Sequence, residues 1–466
     1  MTDQPAPSGA SAPAGFGEHR DTNVAVIGGG VAGLVVARDL AKAGKRVVLF
    51  EASGRLGGEV ARHTVAGIDL DAGAESFATR GGTIETLAIQ LGLGNEIVVP
   101  DARGAWVLEA DGGAFPLPNT GLLGIPGTAM AQDVIDVIGT RAALRAEMDS
   151  LLPGTVGSKE EKLGPLVRRR MGQAVLDRLV TPVVMGVHSA HPDDLDVDRV
   201  APGLRSQLLT QNSLARAVRE LRSLAPAGSA VGGIRGGVAR IVDELVADLA
   251  TYGVDVRLKS RVERFDEHSV TLGSGTRLTA DTVIVALGGR DAQALAGASP
   301  VSPLITLVTL VVREPALDAA PRGTGVLVAP GAPGVRAKAL THASVKWGWL
   351  AERAEGRHVL RLSYNSPALE HATPDAEVQR VAVADASSIL GVDLDPSTID
   401  GVGRVEWHAP VRVDPASLPS DGVIRIGGAA AGRGLVGVVA NARAAASAVL
   451  DPGTLEPGRK TEESGD

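Results

Sequence analysis

The sequence predicts an α/β fold with an α+β part: a parallel-sheet domain, a second domain on an antiparallel sheet, and a helical domain. Three observations predict it. A β-branched run, 23–27 (NVAVI), passes through Gly28-Gly29-Gly30-Val31-Ala32-Gly33 into apolar residues at helical spacing. A second glycine-rich strand-to-helix junction, from Gly427 to Leu435, lies near the other end of the chain. Between them the apolar period is helical over about 130–224 and strand-like over 306–363.

The first element is the buried strand 23–27, and the helix after it, LVVARDLAKAG, stops at Gly44. Residues 45–50 (KRVVLF) are a second strand with Glu51 at its end. The glycines do different things. Gly28 permits the turn, Gly30 lets backbone approach a pyrophosphate, and Gly33 lets helix and strand pack closely. The helix N-terminus offers N–H groups and a positive dipole end to phosphates. Glu51 stands about 20 residues past the glycines, where a carboxylate can bind a ribose diol. A glycine-rich turn that binds no nucleotide is the bland alternative; strand, helix and acid together argue against it. This is a Rossmann-like fingerprint.

Residues 51–58 (EASGRLGG) favour FAD over NAD. Ala52 and Arg55 follow the acid, and Gly57 and Gly58 let the loop lie against the cofactor. A guanidinium there reaches phosphate bidentately, although alone Arg55 would read as a solvated loop residue. Residues 65–73 give a strand leading to Gly73, Ala74, Glu75 and Ser76, a loop placed to line a flavin.

The pattern then continues in order. Residues 81–93 read as a helix, and 105–117 as a hairpin turning at Asp111-Gly112-Gly113. Residues 118–127 are a Pro/Gly-rich loop and 130–224 are mostly helical. Gly236-Gly237 precedes a helix at 238–251, then a strand at 254–258. Hairpin strands follow at 262–264, opened by Val262, and 269–272; a buried strand at 282–287 ends in Gly288-Gly289. Strands at 306–312, 325–329, 337–343 and 358–363 form an antiparallel sheet with a helix at 375–390. Last come a strand at 422–426, the turn beginning at Gly427, and a helix to Leu450 whose first turn carries Leu435, Val436 and Val438. Its N-terminus is a second cofactor-facing one. The expected organisation is a discontinuous FAD-binding domain (22–78, 225–300, 405–450), an antiparallel-sheet domain (79–118, 301–404) that the family resemblance given below implies is substrate-binding, a helical domain (119–224) and disordered tails (1–21, 451–466).

Composition limits the alternatives. A chain of 466 residues has room for two or three domains. With 46 basic and 54 acidic side chains the net charge is −8, which argues against nucleic acid as a partner. Zero cysteines exclude disulfides, thiol nucleophiles, iron–sulfur clusters and Cys-based zinc sites. The longest apolar stretch, 24–37, contains four glycines and is too short to span a bilayer. The N-terminus lacks the basic and apolar regions of a signal peptide, so a cytoplasmic protein is expected. His188, His191, Asp193 and Asp194 read as a polar loop rather than a metal site, and no metal is expected. Arg168, Arg169 and Arg170 read as a solvated helix face.

Several strings carry a family resemblance: GAESF at 73–77, LP at 117–118 followed by GLLGIP at 121–126, the stretch 166–197, SVKW at 344–347 and WHAP at 407–410. In these the chain resembles the flavin amine oxidase and protoporphyrinogen oxidase superfamily, and more narrowly the porphyrinogen oxidases of haem synthesis, over 23–450. The resemblance implies non-covalent FAD and a porphyrinogen oxidised by dioxygen in three two-electron rounds, with hydrogen peroxide as by-product. The flavin carries the hydride transfer, so no protein catalytic residue is required. It also implies that Arg103 contacts a substrate carboxylate. Lys346 either faces the flavin or a propionate, or is an exposed strand residue. Trp407 either packs near the flavin or is an ordinary core tryptophan. Where family members often carry an acid, this chain has Gly428, which leaves only backbone contacts there.

An amine oxidase is the competing enzyme reading, but its substrate is commonly framed by aromatic rings and this chain has two tyrosines, Tyr252 and Tyr364. A non-catalytic binding protein on the same fold is opposed by the intact glycines, Glu51 and Arg55. Coproporphyrinogen III, with four propionates, suits a chain without a spanning segment better than protoporphyrinogen IX, which partitions toward membranes. A transient contact with the next enzyme of haem synthesis is the remaining expected partner.

Overall fold

The computed structural model describes residues 22–118, 121–188, 190–223, 231–288, 304–408, 422–431 and 434–451. Apart from Asp451, both expected tails lie outside the described residues, as do Asn119-Thr120, Gly289, Ala409-Pro410 and Gly432-Arg433 of the motifs above.

The parallel sheet is built from both chain ends and the middle. Its parallel strands run in the order Asp255–Arg257, Val47–Phe50, Thr22–Ile27, Arg277–Val285 and Ile424–Arg425. Val47 to Phe50 are all buried, as strands covered on both faces must be. Helices Val31–Lys42, Arg240–Thr251 and Leu435–Leu450 cover one face, sharing a core that includes Leu34, Leu245 and Val439. The other face is closed by an antiparallel extension, Ser269–Leu272 and Val262–Phe265, which folds Val262 and Val270 onto Ile27 and Phe50. Helix Thr83–Gln90 belongs to the helix-covered core as well, through Ile84, Leu87 and Ala88. This helix lies within the span 79–118 that the sequence groups with the second domain, and it packs against the first sheet's helices.

The second sheet has the order Ile399–His408, Leu304–Val312, His358–Asn365, Ala339–His342, Gly325–Val328, Trp106–Leu108 and Ala114–Pro116. All neighbours are antiparallel except Gly325–Val328 with Trp106–Leu108, which are parallel. Helix Asp375–Leu390 covers one face with Val378, Ala382 and Ile389. Strand Ile399–His408 is a correction: no strand was expected there, and the expected boundary at 405 falls inside it. Two glycines and a run of half-buried residues hide its period. A second correction concerns 65–73, which is the far half of a hairpin. Arg62–Val65 pairs with Ile68–Asp71 around Ala66 and Gly67, whose φ values are +48° and +77°. The 118–127 loop likewise contains a two-residue ladder, Gly121–Leu122 with Ile125–Pro126.

The helical block has its own core, centred on Leu163, Leu166, Leu179 and Leu204. Arg170 overturns the solvated-face reading of the arginine run: it is fully buried. Its Nε donates to Asp149 Oδ1 at 2.5 Å and its other nitrogens to carbonyls of Asp149, Pro153, Val156 and Asn212. Arg168 and Arg169 stay partly exposed on Asp193 and Glu160. Asp193 accepts Arg168 Nη2 on both carboxylate oxygens at 3.1 Å, so this member of the polar loop is engaged in an ion pair.

Candidate functional site

The glycine turn adopts the geometry its spacing predicts. Gly28 has φ +108°, and a Cβ there would sit 2.7 Å from the Ala286 carbonyl oxygen. A Cβ on Gly33 would run into the Gly28 carbonyl, so this glycine is what lets the helix lie on the strand. A Cβ on Gly30 would meet nothing within 4 Å; the turn faces open space there. Gly30 is also the N-cap of helix Val31–Lys42 and supplies no side-chain cap. The first N–H groups of that helix therefore have no intrahelical partner.

Glu51 is oriented by backbone. Gly29 N–H donates to Oε2 at 2.8 Å and Ser53 N–H to Oε1 at 2.7 Å. Each carboxylate oxygen keeps a lone pair for a further donor. The 51–58 loop then folds over the turn. Gly57 N–H donates to the Gly29 carbonyl at 2.8 Å, and a Cβ on Gly58 would lie 3.3 Å from Gly30 Cα. Arg55 is exposed; it donates to the Gly58 carbonyl at 2.9 Å and stands 5.8 Å from the Trp407 ring centroid. Ala52 is exposed on the same loop. Val262 points its side chain into the core on the far face of the sheet. Its strand follows Ser260, whose N–H donates to the Glu51 carbonyl at 2.8 Å.

The second glycine-rich junction meets the first. Gly427 has φ +89°, and a Cβ there would stand 3.4 Å from Ala32 Cβ, at the start of the first helix. Asn441 holds this turn by accepting the Gly427 N–H at 3.1 Å. Gly434 caps helix Leu435–Leu450 without a side-chain cap, and a Cβ on it would meet nothing within 4 Å. Leu435, Val436 and Val438 are half-buried in its first turn. Gly428 opens a short helix, Gly428–Ala431. Two uncapped helix starts, a pre-oriented carboxylate and open space above Gly30 fit a dinucleotide.

Beyond them lies a charged cluster between the two sheets. Gly73 packs so closely on the Glu59 carbonyl that no Cβ fits, and Trp407 Cε2 lies 3.7 Å from that position. Trp407 Nε1 donates to the Ala72 carbonyl at 3.0 Å, which puts this residue of the second sheet against the loop. Ala74 and Ser76 are half-buried on either side of Glu75. Lys346 Nζ is 2.6 Å from Glu75 Oε1, and Arg361 Nη1 is 3.2 Å from Oε2. Burial pushes the Glu75 carboxyl up, but the two cations more than offset it, and its pKa falls to about 2. Lys346 is thus neither exposed nor in a strand: it ends the turn Ala343–Lys346 with a side chain 16% exposed. Arg103 stands on the rim, 52% exposed, with Nε 2.9 Å from Asp101 Oδ1. Asp101 N–H donates to the Lys346 carbonyl at 3.0 Å, so the Arg103 loop and the Lys346 turn are tied together.

Three site residues were missed in the sequence. Arg361 is the one arginine or lysine in the strand HVLRLSYN and stands between two leucines, and that charge was the available signal. Asp71 Oδ2 and Oδ1 accept the N–H groups of Val238 and Ala239 at 2.9 and 3.0 Å and so anchor the start of helix Arg240–Thr251. Burial raises the Asp71 carboxyl to about 6 despite those two donors. Asn441, mid-helix, carried no local signal.

Residues 31–423 match the family of flavin containing amine oxidoreductases. A coproporphyrinogen III oxidase of Mycobacterium tuberculosis is 31% identical over 389 residues, covering 80% of this chain and 83% of the relative. One of Propionibacterium freudenreichii subsp. freudenreichii is 26% identical over 455 residues, covering 87% and 84%. Among solved structures, one from Exiguobacterium sp. 255-15, provisionally assigned as a protoporphyrinogen oxidase, superposes with a TM-score of 0.77 at 22% identity and covers 93% of this chain and 99% of that one. Cyclohexylamine oxidase from Brevibacterium oxydans IH-35A has a TM-score of 0.61 at 16% identity, covering 93% and 100%.

Proposed function

Because this chain belongs to the family of flavin containing amine oxidoreductases and takes FAD as its cofactor, we propose that it oxidises coproporphyrinogen III to coproporphyrin III. The observation that carries the substrate is likeness over four fifths of the chain to relatives named for that reaction. Bound FAD supplies the two-electron acceptor, and dioxygen, as the final acceptor, leaves hydrogen peroxide. The protein's part is to bind and orient. Glu51 holds the ribose diol, the open turn at Gly30 receives the pyrophosphate, and the loop 51–58 closes over it with Arg55. Gly73 to Ser76, Trp407 and the junction from Gly427 to Val438 would supply the remaining contacts to the cofactor. Val262 adds backbone at the ribose end. Arg103, tied to the Lys346 turn through Asp101, offers a guanidinium to a substrate propionate at the rim. Lys346 itself is committed to Glu75, so its service to the substrate is indirect.

The fold alone would also admit an amine oxidase. The tyrosines argue against one: Tyr364 is fully buried beneath helix Asp375–Leu390, and Tyr252 lies on the surface after helix Arg240–Thr251. Among the described residues no helix is long and apolar enough to cross a membrane. The proposed setting is the cytoplasm, with transient contact to the enzyme that takes the porphyrin next. A direct experiment is to incubate the purified protein separately with coproporphyrinogen III and protoporphyrinogen IX and follow porphyrin fluorescence. Faster turnover of coproporphyrinogen III is expected. A higher kcat/KM for protoporphyrinogen IX would overturn the substrate, and no porphyrin from either would overturn the reaction.

A further inference from the structure

The irregular loop 72–76 is gripped from outside its own sheet. Arg361, on strand His358–Asn365 of the second sheet, donates through Nη2 to the Ala72 carbonyl at 3.3 Å and to the Gly73 carbonyl, and through Nη1 to Glu75. One guanidinium thus reaches three acceptors within four successive residues. It is 11% exposed, and strand register sets it opposite Thr309 and Thr341, in the middle of the sheet rather than at an edge. The other side of the loop leads back to the glycine turn: Gly73 rests on the Glu59 carbonyl, Glu59 follows Gly58, and Gly58 packs on Gly30.

We propose that Arg361 is a positioning residue for the cofactor, acting through the loop 72–76. This rests on the reading that FAD runs from Glu51 past Gly30 toward Trp407. A planar fork suits this role, because its rigid, spread donors fix two carbonyls and a carboxylate at once, whereas the three donors of an ammonium radiate from one freely rotating nitrogen. The loop has no ladder of its own to hold the Gly73–Glu75 backbone. Its conformation is therefore held by side chains of the second domain, with Trp407 on the Ala72 carbonyl, Lys346 on Glu75, and Arg361, alone among the described residues, reaching the Gly73 carbonyl as well as both Ala72 and Glu75. Reciprocity follows: whatever shifts that sheet is felt at the cofactor, and cofactor binding steadies the sheet.

The test uses the full chain stripped of FAD, with no porphyrinogen present, so its outcome does not depend on the substrate. FAD is titrated back into wild type, Arg361→Lys and Arg361→Met, and the visible circular dichroism of the bound flavin is recorded. Losing charge-assisted hydrogen bonds of this kind is expected to raise the FAD Kd about tenfold in Arg361→Lys and more in Arg361→Met. The dichroism bands should change in both variants, which a purely structural role would not require. Arg361→Lys keeps a cation beside Glu75, so it decides the matter if Arg361→Met does not fold. Wild-type Kd and wild-type dichroism in Arg361→Lys would overturn the proposal. A wild-type chain that rebinds no FAD would overturn the cofactor path itself, and is recognised because the wild type alone reveals it.

Discussion

Glu51 is prepared for its ligand before the ligand arrives. The N–H groups of Gly29 and Ser53 hold both carboxylate oxygens, so the side chain spends little rotamer entropy when a diol binds. Glu51→Ala removes the acceptor and leaves those two donors without it. The FAD Kd is expected to rise about tenfold or more, read from flavin fluorescence during titration of the stripped protein. A wild-type Kd in that variant would take Glu51 out of the cofactor site. Lys346 shows the same principle from the opposite side: a cation 2.6 Å from a mostly buried carboxylate is already occupied.

At the scale of elements, Arg170 joins three pieces of the helical block. It lies on helix Leu163–Met171 and binds Asp149, in the turn Met148–Leu151, and the Asn212 carbonyl that ends helix Leu204–Gln211. Asp149 is itself satisfied by Ser213 Oγ at 2.6 Å and Ala215 N–H at 3.0 Å. Removing one partner leaves a buried charge uncompensated. Arg170→Met is expected to cost about 3–5 kcal/mol in denaturant unfolding of the protein. Arg169→Met, whose side chain is 59% exposed on Glu160, should shift stability by about 0.5 kcal/mol or less. Equal effects from the two neighbours would refute the distinction.

For the molecule as a whole, three histidines set its response to acid. His342 is fully buried, with Nε2 3.0 Å from His358 Nδ1, and His358 Nε2 is 3.1 Å from Asp318 Oδ1. Burial, with His358 and Arg103 nearby, lowers His342 from 6.5 to about 3; burial also lowers His358. His63 falls to about 4 through burial and the charge of Arg361. Below about pH 6.5 the unfolded chain takes up protons that these folded histidines refuse, so stability falls as pH drops. Asp71, raised to about 6, and Asp385, also raised by burial, act in the reverse sense, two groups against three. The urea midpoint is expected to decline between about pH 6.5 and pH 4, and to decline less in His342→Met. A flat wild-type profile across that range would contradict it.

What is local in this protein was legible in its amino-acid order. The strand–glycine–helix–strand–acid succession, the positive φ at Gly28, the close packing at Gly33 and helix Asp375–Leu390 all follow from period and from backbone angles that few residues tolerate. Which distant side chains complete the site was settled in three dimensions. Arg361 lies 286 residues from Glu75, and Trp407 335 residues from Ala72. Strand Ile399–His408 emerged only from its pairing with Leu304–Val312, and the burial of Arg170 only from Asp149 and Asn212. A charge written in a sequence does not say whether it meets water or a carboxylate; the packing of remote segments decides that, because desolvation and pairing exist only once those segments have come together.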